Sequence, residues 1–94
     1  MSHDALMHSP EDDVAVVIHN VAAGDTVLVV TQDGTERAVL TAIEDIPLGH
    51  KIAVRDKAAA DVVIKYGRSI GRVTQAIATG AHVHTQNLKS VRWA

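Results

Sequence analysis

Apolar residues along this chain fall in short runs, each closed by a polar or glycine-bearing break. Val14-Ala15-Val16-Val17-Ile18 is continuous, and Thr26 to Thr31 and Arg37 to Ile43 follow it. Runs this short and this rich in valine and isoleucine predict strands, because β-branched side chains fit a pleated, half-buried surface. Between the second and third runs stands Asp33-Gly34. Both residues tolerate positive φ, so the pair predicts an antiparallel hairpin. Pro47 and Gly49 turn the chain again. Residues 50–55, 62–65, 70–74 and 82–87 read as further extended pieces, and Ala58-Ala59-Ala60 is the one place where a helical turn is predicted. Residues 1–12 are polar and read as a flexible tail ahead of a folded unit over 13–94, with Asp12-Asp13 as a solvated lead-in. The expected class is all-β.

One pattern recurs: an apolar residue, two variable positions, glycine, two variable positions and a second apolar residue. It fits Val21 to Val27 around Gly24, Ile46 to Ile52 around Gly49, and Ile77 to Val83 around Gly80, with a degenerate copy over Lys57 to Val63 around Ala60. The first apolar residue anchors a loop, glycine takes the tight turn, and the second starts a strand in the core. Spacing between copies is uneven, which excludes a stacked solenoid and favours a folded-over β-structure.

Composition narrows the function classes. Ninety-four residues make one domain with a modest core, so a partner or oligomer adds useful buried area. There is no cysteine, which excludes disulfides and thiolate metal sites. A net charge of -2 and two aromatic residues supply neither a cationic field nor stacking platforms, so no nucleic acid is expected as partner. No apolar run reaches the length of a membrane span and no secretory signal opens the chain, so no membrane is expected and a cytoplasmic location follows by default. Nucleophile elbows, phosphate loops and dinucleotide fingerprints are missing.

The best chemical lead is Gly80-Ala81-His82-Val83-His84. In an extended segment, residues two apart share a face, so His82 and His84 present two imidazoles to a common ligand. Two ligands are too few for a closed metal shell. The other reading is a solvated polar stripe on an outer strand face. His50 and Lys51 follow a Pro-x-Gly turn, where a loop on rigid backbone projects side chains that suit acid–base work and carboxylate binding. Lys65 and Tyr66 offer an ammonium and a phenol, although the lone tyrosine also suits packing.

Several ordered segments carry a resemblance: Asp12 to Val16, Asp45 to Ala53, Val63 to Gly67, Ile70-Gly71, and His82 to Leu88. Together they resemble the SAF, or β-clip, domain of the altronate and galactarate dehydratases, including the separately encoded small subunits of altronate dehydratase or sulfolactate sulfo-lyase. The match spans nearly the whole chain. It implies a β-clip fold and a lyase that eliminates a β-substituent from a sugar acid or related 2-hydroxy carboxylic acid, working with a large dehydratase or lyase subunit and inactive alone. It further implies iron(II) or another divalent metal whose shell the partner subunit completes. On the matching positions it implies catalytic roles for His50, Lys51 and Tyr66, substrate binding by Lys65 and Asn87, and metal binding by His82 and His84. Gln86 departs from the pattern, since relatives commonly show histidine there. Two other classes stay open: a free binding module for a sugar acid or metal, and a purely structural or assembly domain. A homo-oligomer is a further candidate assembly.

Overall fold

The computed structural model describes residues 3–65, 68–84 and 86–90. The predicted runs become strands: β1 (Ala5–Met7), β2 (Val14–Val17), β3 (Thr26–Thr31), β4 (Glu36–Thr41), β5 (Lys51–Ala53), β6 (Val62–Lys65), β7 (Arg68–Val73), β8 (His82–Val83) and β9 (Leu88–Ser90). No helix of the described residues is long and apolar enough to cross a membrane. Six strands form one sheet in the order β4-β3-β1-β2-β5-β8, and β6-β7-β9 form a second. Every pairing is antiparallel except β1 with β3, as expected of an all-β clip.

Alternation sorts the six-stranded sheet into two faces. Ala5, Met7, Ala15, Val17, Val27, Val29 and Ile52 line the face that curls onto itself to form the larger core. On the other face, Val14, Ala53 and Val83 are covered by the three-stranded sheet through Val63 and Val73, which makes a second core.

The amino-terminal expectation is corrected. Residues 5–7 of the expected tail form β1, inserted between β3 and β2, with Leu6 opposite both Val16 and Val30. Ala-Leu-Met is too short a run to read as a strand. It becomes one because it satisfies the backbone groups of two neighbouring strands and buries Ala5 and Met7. Asp4 ties the strand down, accepting from the Leu28 N–H at 2.8 Å and meeting His19 Nε2 at 2.8 Å. The Leu28 N–H and then His19 lower the Asp4 pKa, while the Asn20 carbonyl and then Asp4 raise that of His19. The Asp4 contribution is lost as pH falls through its lowered value, and that of His19 as pH rises through its raised one, so the pair works best in mild acid.

Asp12 and Asp13 are buried rather than solvated. Asp12 accepts from the Ser9 hydroxyl at 3.0 Å. Asp13 accepts from the Ile64 N–H and lies 3.3 Å from Arg55 Nε and 3.2 Å from Lys57 Nζ. Two cations and an amide offset the cost of burying that carboxylate.

All four copies of the recurring pattern adopt one geometry. In each, a carbonyl (Ala22, Pro47, Ala58, Ala78) accepts from the N–H three residues on (Asp25, His50, Asp61, Ala81). The third turn residue has positive φ: +92° at Gly24, +86° at Gly49, +75° at Ala60 and +89° at Gly80. The helical turn expected at Ala58 to Ala60 is therefore a β-turn of the same kind, with alanine forced into glycine's conformation. The units associate in twos through the bridges Val21 with Ile46 and Lys57 with Ile77.

Candidate metal centre

The second and fourth turn units each deliver a histidine to the same edge of the large sheet. His50 follows Gly49 at the mouth of β5, and His82 opens β8, where it pairs with Ile52. The predicted extension over 82–87 stops at Val83. There the chain turns, with the N–H groups of Asn87 and Leu88 donating to the His84 carbonyl at 3.1 and 2.9 Å. The turn keeps His84 beside His82, so the two imidazoles stay together for a reason other than strand alternation. Their rings lie 5.6 Å apart and nearly parallel, at 8°.

His50 supplies the third ring. Its Nδ1 lies 2.8 Å from His82 Nε2, and its ring centroid is 4.5 Å from that of His84. One ligand nitrogen from each of His50, His82 and His84 falls within 4.8 Å of the others. The place of a third imidazole, vacant at Gln86 in the sequence, is thus filled by His50, thirty-two residues upstream of His82.

The surroundings orient these rings. Glu44 accepts from the His82 N–H at 2.7 Å. Buried Asn87 donates to the His82 carbonyl at 2.8 Å and accepts from the His84 N–H at 3.1 Å, so both ends of its amide hold the turn. Gln86 donates to the His82 carbonyl at 3.1 Å and lies 3.5 Å from His82 Nδ1. Burial, followed by the neighbouring His50 and His84, lowers the His82 pKa, with Glu44 acting the other way. A neutral imidazole is the form that binds a metal.

The donor set fits a divalent cation. Imidazole suits zinc and iron, and two nitrogens bound to one ion at about 2.1 Å stand roughly 3 to 3.5 Å apart, so modest side-chain rotation closes the observed triangle.

Other sequence-derived candidates lie elsewhere. Lys51 pairs with Val16 and Val83, which places it on the opposite face of the sheet from His82. Burial and then Lys65 lower its pKa. Lys65 lines a hollow with Leu6, Val16 and Ile18. Tyr66 lies outside the described residues. Glu44 has no signal in the sequence. His50 and His82 both sit just past the turn glycine of a copy, and the pairing of β5 with β8 brings those two copies together.

A family profile described as the altronate/galactarate dehydratase SAF domain matches residues 3–91. The chain belongs to this family. Within it, the chain is 42% identical over 94 residues to the (2R)-sulfolactate sulfo-lyase subunit alpha of Chromohalobacter salexigens, covering 99% of this chain and 100% of that one. It is 48% identical over 65 residues to the corresponding subunit of Paracoccus pantotrophus, covering 69% and 96%. Altronate dehydratase of Escherichia coli is 40% identical over 79 residues, which are 84% of this chain but 15% of that enzyme. The SAF unit thus occurs both as a small separate subunit and as one part of a much longer chain.

Proposed function

We propose that this chain is the small SAF subunit of a two-component lyase that acts by β-elimination on a 2-hydroxy carboxylic acid, and that it contributes a three-histidine metal site to the assembly. The match to one sulfo-lyase alpha subunit over 99% of this chain, joined by a second over 69% of it, carries the reading. It favours a sulfonated hydroxy acid such as sulfolactate over a sugar acid. The family profile keeps the hydro-lyase, with altronate or galactarate as substrate, as the second reading.

In such an elimination the C–H bond beside the carboxylate breaks, its electron pair forms a C=C bond, and the β-substituent leaves with its own bonding pair. The reaction needs a base, stabilisation of the developing enolate, and help for the leaving group. His50, His82 and His84 would hold a divalent ion, which would supply Lewis-acid stabilisation of that negative charge. Asn87 and Glu44 fix the backbone that carries His82, and Gln86 steadies its carbonyl. His84 is exposed and the centre is open on one side, so the large subunit is needed to complete the site and exclude water. The subunit is inactive alone.

Reconstitution with the large subunit and ferrous iron tests this reading. Turnover of (2R)-sulfolactate that is lost in His82→Ala supports the sulfo-lyase, and turnover of altronate or galactarate in its place supports the hydro-lyase. Turnover of none of these overturns both.

A further inference from the structure

The second face of the six-stranded sheet is only partly covered. Beyond the three-stranded sheet, the register places Glu36, Val30, Leu6, Val16 and Lys51 in one row across five strands. The row is apolar in the middle, acidic at one end and basic at the other. Ile18 and Val39 flank it, 44% and 66% exposed. A β-bulge at Val29/Val30 puts Glu36 on this face: Arg37 donates from Nε to Thr31 on the core side, while Glu36 lines a hollow with Leu6, Leu28 and Val30. That hollow, about 290 Å³, lies on one side of Leu6. A second of about 220 Å³, which Lys65 borders, lies on the other.

We propose that this face packs against the same face of a second copy of the chain, each Glu36 meeting Lys51 of the other. The charge order is the argument. At about 4.8 Å per strand, Glu36 and Lys51 stand roughly 19 Å apart with Leu6 midway. A twofold axis parallel to the strands and over Leu6 therefore lays each acidic end over a basic end, and the Glu36 hollow of one copy over the Lys65 hollow of the other. An isologous contact requires this self-complementarity, whereas a surface for an unrelated protein does not. Lys51 makes no ion pair among the described residues. The face also accepts a sheet at about 10 Å already, where the three-stranded sheet covers Val14, Ala53 and Val83. This contact is independent of the histidine centre, which opens on the other face.

Light scattering of the metal-free chain against concentration tests the proposal without any assay of activity. The expected mass is twice the 10.0 kDa of one chain. Glu36→Lys and Lys51→Glu are each expected to weaken the dimer by roughly a hundredfold, since like charges are then juxtaposed. Mixing the two variants restores it, because both contacts become attractive again. Val39→Asp, at an exposed position, weakens the dimer without depending on the fold of Lys51→Glu. A wild-type chain that is monomeric at every concentration overturns the proposal. So does a dimer that Glu36→Lys and Val39→Asp leave intact, or a face that only the large subunit covers.

Discussion

The first and third turn units differ from the second and fourth in the residue that follows the positive-φ position. After the positive-φ residue, units one and three carry aspartate, and Asp25 and Asp61 fold back to accept from Ala22 and Ala58 N–H at 2.9 and 2.8 Å. The second unit carries His50 there, and the fourth carries Ala81 followed by His82. Pro47 opens the second turn and has no N–H to cap. Units one and three thus spend that position on their own stability, the second gives it to a histidine, and the fourth buries Ala81 there and carries its histidine one residue later. The same backbone turn thus carries either a self-capping aspartate or a histidine within two residues of its positive-φ position.

The largest expected effect separates the glycines. An alanine Cβ at Gly80 meets the backbone carbonyl of Thr41 and also takes a positive φ, while at Gly24 it meets nothing within 4 Å. Gly80→Ala is expected to cost about 3 kcal/mol or more and Gly24→Ala about 1 kcal/mol, read by denaturant unfolding. Equal costs would show that the fourth unit is not locked under the β4 end. Next, Asn87→Ala is expected to weaken metal affinity about tenfold by releasing the His82 to His84 turn. Asp61→Ala, in a unit without histidine, should leave metal affinity unchanged and cost about 1 kcal/mol of stability. The smallest effect is a gain: Ala60→Gly relieves left-handed strain but loosens the unfolded chain, for a net of about 0.5 kcal/mol in favour of the native state by thermal unfolding.

Much of this architecture is legible in the residues. Asp33-Gly34 announces the β3–β4 hairpin, and the recurring apolar and glycine spacing marks all four turns, including the one where alanine replaces glycine. β1 escapes because its burial is decided by strands on both sides rather than by its own pattern. Lys51 adjoins His50 in sequence, yet strand alternation puts it on the face opposite His82. His82 and His84 stand out by spacing, yet the third ring depends on a long-range pairing of β5 with β8 that no local pattern contains. Asn87 is read as a substrate ligand from resemblance, and the structure shows each end of its amide making a hydrogen bond within the turn.

The central claim is that His50, His82 and His84, drawn from two turn units, form one metal site. Calorimetric titration of zinc into the isolated chain and its three single histidine-to-alanine variants tests it directly. The account predicts one ion per wild-type chain and a loss of more than about a hundredfold in affinity for each variant, His50→Ala included. Wild-type affinity in His50→Ala, or no binding by the wild type, would contradict it.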